Sequence, residues 1–155
     1  MSLDIEKVLV ELEEDRKQID NNQKTIFNLR EKQKAAIDKL LDDYDQVMLW
    51  YVKKQIAFTS PKLRGKSFIN QSGPVVGYDE RNNLLFTYNY SNKKFEVVNI
   101  YDQSHIETKD LRILIEEGYF EDIVSGIKHT LVHQKEILEA QKKLIDGIEA
   151  QLSNC

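Results

Sequence analysis

His129 and His133 stand four residues apart, a spacing that puts two imidazoles on one face of a helix, within reach of a single metal ion. Glu136 lies one turn further along the same face and offers a third donor. The metalloprotease helix motif needs a glutamate directly after its first histidine, and Thr130 occupies that place. Two properly spaced ligands fall short of the three or four found in most zinc sites. The expectation is therefore a polar pair flanking an apolar seam, with no metal and no cofactor.

Other chemistry is thinner still. No glycine-rich phosphate loop and no glycine-flanked nucleophilic serine is present. Asp42, Asp43 and Asp45 cluster but lack the glycine turn and the bidentate glutamate of a calcium loop; they read as a solvated face. Lys62, Arg64 and Lys66 form a basic loop beside aromatic strands, the one place with the character of a nucleic-acid surface. The chain is expected to be non-catalytic.

What the sequence specifies strongly is helices that need partners. Phe120, Val124, Ile127, Leu131, Gln134, Leu138, Gln141, Ile145, Ile148 and Leu152 step by four and three without a break. That is the 3.5-residue repeat of a coiled-coil seam. Near the N-terminus Ile5, Leu12, Ile19, Ile26, Gln33, Leu40 and Val47 recur every seven residues. Asp15, Asn22 and Gln33 put polar groups on that seam, which costs stability and can fix register. Residues 3–57 contain no Gly or Pro and read as one helix, ended by Pro61 through the restriction it places on the residue before it.

Between the helices the period changes to two. Segments 67–71, 75–79, 84–90 and 95–101 read as strands of an antiparallel meander, with turns rich in Asn and Ser at 80–83 and 91–94. Ser104-His105-Ile106-Glu107 matches a capping box, which predicts a short helix over 105–118, with Gly118 as its C-terminal cap. A last helix then runs from 119. The segments are 1–58, 59–104, 105–118 and 119–155. The predicted class is α+β: two long antiparallel coiled-coil helices, with a small sheet at the tip and one short helix. Placing Val47 opposite Phe120 puts Gln33 opposite Gln134 and leaves Ile5, Val8, Leu9 and Leu12 uncovered. That overhang predicts a homodimer or higher oligomer, held by Ile5, Leu12, Ile19, Ile26, Leu131, Leu138, Ile145 and Leu152.

Composition narrows the function classes. Hydrophobic residues make up 41% and charged residues 31%, with a net charge of −4. Residues 1–58 carry ten basic and twelve acidic side chains, 59–105 six and four, and 106–155 six and ten. The weakly basic middle falls short of the footprint of a dedicated nucleic-acid binder. Cys155 is the single cysteine, so no intrachain disulfide forms and a reducing cytoplasm fits. The acidic N-terminus does not read as a signal peptide, and no apolar run reaches membrane-spanning length.

In element order the chain resembles a prefoldin subunit: a coiled-coil helix, a strand-rich middle and a second coiled-coil helix. The resemblance implies a holdase and carries no individual residues; the short helix departs from the pattern. The favoured expectation is an oligomeric module that presents its sheet to a protein partner. Its contact residues would be Lys62, Arg64, Lys66, Arg81, Tyr88, Tyr90, Lys93 and Lys94, with Tyr88 and Tyr90 on the outer face. The lean toward Ile, Asn, Lys and Tyr suits an AT-rich bacterial or phage genome, where small proteins commonly bind and block a host enzyme or defence nuclease. A weak nucleic-acid-binding accessory role is a third reading.

Overall fold

The computed structural model describes residues 2–63 and 66–155, the side chains of 61–67 excepted. The Asp4 side chain starts the first helix by accepting from the Lys7 N–H at 3.2 Å, which satisfies one of the donors a helix start leaves unpaired. Helix α1 (Ile5–Asp43) spans 39 residues, about 58 Å at the helical rise. Tyr44 separates it from α2 (Asp45–Lys54). The interruption is slight, because Tyr44 N–H reaches Leu40 O and Met48 N–H reaches Tyr44 O, both at 3.0 Å.

Helix α2 stops before Pro61 has any influence. Gln55 turns left-handed at φ 57°, its N–H bonds Val52 O at 3.2 Å, and Ile56 N–H bonds Tyr51 O at 3.0 Å. This is a Schellman closure made without glycine. The chain then enters β1 (Phe58–Leu63), which pairs antiparallel with β2 (Lys66–Asn70). The expected helix end at Thr59-Ser60-Pro61 is thus a strand, and Pro61 falls where the ladder is irregular, between Ser60 and Leu63. A two-stranded sheet tolerates the missing N–H there.

A second sheet follows in simple order: β3 (Val75–Asp79), β4 (Leu84–Asn89), β5 (Lys94–Asn99) and β6 (Ile106–Lys109), all antiparallel. Its turns fall where expected, but the side chains that accept their N–H groups come from the last residues of the preceding strands. Asp79 accepts from the N–H groups of Arg81 and Asn82, and Asn89 accepts from those of Ser91 and Asn92. Strand β6 replaces the start of the predicted 105–118 helix. The local capping pattern loses to pairing with β5, which places Val98 opposite Ile106 and Phe95 opposite Lys109. The helix begins later, as α3 (Leu111–Glu116), with Asp110 accepting from Arg112 N–H at 2.8 Å. Gly118, at φ 94°, ends it as expected: Gly118 N–H bonds Ile115 O and Tyr119 N–H bonds Leu114 O.

The predicted last helix is divided. Helix α4 (Phe120–Lys128) passes through a 3-10 turn at His129–Leu131 and resumes as α5 (His133–Ser153). Helix α4 lies directly on β3: a Cβ added to Gly126 would sit 2.2 Å from the Val75 carbonyl oxygen. The main core joins Phe86, Tyr88 and Phe95 of the sheet to Leu111, Leu114, Ile115, Ile123 and Ile127, closed by Ile37, Met48 and Tyr51. Val75, Tyr78 and Leu85 form a smaller cluster with Phe68 and Ile100.

The two long helices do not cover one another. Helix α1 packs on α3 and α4, and α5 contributes no buried residue. The expected antiparallel register is also absent. Phe120 shares a hollow with Leu29, Gln33 and Ala36, whereas Thr130 and Leu131 share one with Val47 and Trp50. Residue numbers on the two sides rise together, the opposite of a hairpin. The sheet is correspondingly not a distal tip; it is the layer against which α3 and α4 pack. Residues 9–29 and 134–155 are exposed throughout, so each end of the chain is a helical arm.

Candidate functional site

The chemistry-bearing residues converge where α2, β1, the 3-10 turn and α5 meet. Tyr51 explains why the long helix breaks there. Its hydroxyl donates to the Thr130 carbonyl, and Thr130 Oγ1 donates back to Ile127 O at 2.7 Å. Both contacts loosen the regular ladder of a helix. Burial pushes the Tyr51 hydroxyl above the usual tyrosine range, which keeps it a proton donor.

The break sets three side chains on one edge. His129 is buried, His133 half-buried and Glu136 exposed, and one ligand atom from each lies within 4.8 Å of the others. His129 Nδ1 is 2.9 Å from the Thr59 carbonyl oxygen and its Nε2 is 3.1 Å from Glu136 Oε2. His133 Nδ1 is 3.1 Å from Thr59 Oγ1. The Tyr51 ring stacks on His133 with centroids 6.3 Å apart and on Phe58 at 4.8 Å. Desolvation holds the His133 imidazole below its ordinary pKa; His129 adds to the effect and Glu136 opposes it. The i, i+4, i+7 spacing made the two histidines and the glutamate visible in the sequence. Thr59 and Tyr51 were not visible, since they come from elements about 70 residues away along the chain.

The expected partner-binding residues are scattered by the fold. Arg81, on the turn after β3, and Lys94, at the start of β5, are exposed. Lys93 is engaged: its Nζ is 2.9 Å from Asp45 and 3.4 Å from the Tyr90 ring centroid. Tyr88 and Tyr90 do share a face, but it is the inner one. Tyr88 is 3% exposed in the main core, and Tyr90 packs against that core. Alternation along β4 sends Leu84, Phe86 and Tyr88 toward the helices, which corrects the outer-face assignment. Arg64 lies outside the described residues, as do the side chains of Lys62 and Lys66.

The expected oligomerisation residues remain open. Ile5, Leu12, Ile19 and Ile26 on α1 are exposed, as are Leu138, Ile145 and Leu152 on α5 and Leu131 just before it. Among the described residues no helix is long and apolar enough to cross a membrane. No protein family, curated protein or solved structure matches the chain.

Proposed function

We propose that the chain is a non-catalytic, self-associating scaffold whose two arms pair with those of a second copy to form coiled coils, and whose folded body presents a surface to a protein partner. The observation that supports this reading is the pair of uncovered stripes. Ile5, Leu12, Ile19 and Ile26 repeat every seven residues on one arm, and Leu138, Ile145 and Leu152 do so on the other, all exposed. A heptad stripe has a shape that only another helix fills. Each Ile or Leu removed from water contributes about 1.5–3 kcal/mol, enough in sum to offset the cost of association. Asp15 and Asn22 on the α1 stripe would select the register. The exposed residues Arg81 and Lys94 would supply rim contacts for a partner.

Chromatography with in-line light scattering tests the assembly. The wild type is expected as a dimer or larger. Ile19→Asp combined with Ile145→Asp is expected to give the 18.2 kDa monomer with an unchanged folded body, because neither residue touches the core. A wild type that stays monomeric at tens of micromolar sinks the reading.

A further inference from the structure

We infer that His129, His133 and Glu136 form a binding site for one divalent zinc-like metal ion, which ties the base of the α5 arm to the body. The argument starts from donors and acceptors. The Thr59 carbonyl only accepts, so the His129 Nδ1 facing it at 2.9 Å carries a proton. The remaining ring nitrogen, Nε2, faces a carboxylate oxygen at 3.1 Å. A bare imidazole nitrogen and a carboxylate repel each other. Something positive belongs between them or on the ring: a second proton or a metal ion.

Three features favour the metal. A ring N–H held by a backbone carbonyl is the usual support of a metal-ligating histidine, since it fixes the tautomer and aims the other nitrogen. A third donor, His133, has a ring nitrogen within 4.8 Å of the other two ligand atoms, and its Nδ1 is held 3.1 Å from Thr59 Oγ1; an ion pair alone has no use for it. Burial is graded as well, from His129 inside to Glu136 outside, giving an ion a route of entry. Ligands about 2.1 Å from one ion sit roughly 3.4 Å apart, and the half-buried His133 and exposed Glu136 can close the present spread by side-chain rotation. Two imidazoles and a carboxylate select zinc, nickel, cobalt or copper over magnesium or calcium. A fourth position remains for water or for a donor from a partner.

Calorimetric titration of the EDTA-treated full chain with zinc chloride tests the site, with cobalt chloride and visible absorption as a second probe. One ion per chain is expected, with cobalt absorption of four- or five-coordinate strength. Glu136→Ala, an exposed change, is expected to weaken binding at least tenfold. Thr59→Val, which removes the hydroxyl facing His133, is expected to weaken it about tenfold, by the general sensitivity of metal sites to the groups that orient their ligands. Zinc should raise the melting temperature of the wild type and not that of His133→Ala. No saturable binding at millimolar metal overturns the inference. Wild-type affinity in both Glu136→Ala and His133→Ala also overturns it, because the metal would then sit elsewhere.

Discussion

The body and the arms are built from the same helices and the same heptad repeat, yet they meet opposite fates. On the C-terminal ladder Ile127 is 0% exposed, whereas Leu138, the second apolar rung after it, is 51% exposed. On the N-terminal helix Leu40 packs against the core, whereas Ile19, on the same seven-residue row, is 44% exposed. Periodicity alone does not separate these pairs. What separates them is cover. The aromatic strands and α3 lie over one half of each helix, and among the described residues nothing buries the other half. An apolar stripe therefore records that a helix needs a partner, and the neighbouring elements decide whether the partner is internal.

The sharpest test of this contrast uses two rungs of one ladder. Ile127→Ala should cost about 2–5 kcal/mol by loss of buried methyl groups and residual cavity. Leu138→Ala should stay within about 0.5 kcal/mol in the dissociated chain. Denaturant unfolding at high dilution reads both, and equal losses would mean that α5 is covered within its own chain. A smaller effect is expected at the close approach of α4 to β3. Gly126→Ala should cost about 1–3 kcal/mol through overpacking, because its methyl would fall on the Val75 carbonyl. Gly147 on the α5 arm has open space around it. There the same change should be neutral or stabilise by up to about 1 kcal/mol through helix propensity.

The smallest effect lies at the border between the two regions. His133 has its pKa lowered from 6.5 by desolvation, by His129 and against Glu136. Its folded state therefore binds a proton less readily than its unfolded state. The associated stability is complete above pH 6.5 and is lost as pH falls through that value toward the lower folded pKa. His133→Gln should flatten this part of the stability profile, measured by denaturant midpoints from neutral to mildly acid pH with EDTA present. An identical acid slope in the variant would remove His133 from the account.

The helical segments, four of the strands (β2 to β5) and the positions of the two turns between β3, β4 and β5 were legible in the sequence because each is specified locally, by period or by turn residues. Strands β1 and β6 were not. Phe58–Leu63 contains Pro61, and Ile106–Lys109 overlaps a capping pattern; in both, sheet pairing overrides the local signal. The inward face of Tyr88 was hidden for a related reason: alternation tells which residues share a face, and only packing tells which face is inside. At the candidate site the spacing of His129, His133 and Glu136 was readable. The break that Tyr51 imposes and the support from Thr59 depend on contacts across about half the chain.

Trp50 is the single tryptophan of the chain. It stands edge-on to Tyr51, with centroids 5.3 Å apart, and lines a hollow with Val47, Leu131 and Gln134 at the root of α5. Trp50 is still 42% exposed. The protein thus carries a native fluorophore at the joint between body and arm. A helix or ligand settling against that joint would shift its emission to shorter wavelength, and unfolding of the body would shift it to longer. Events confined to the far end of α1 would leave it unchanged, so one spectrum distinguishes which arm has been engaged.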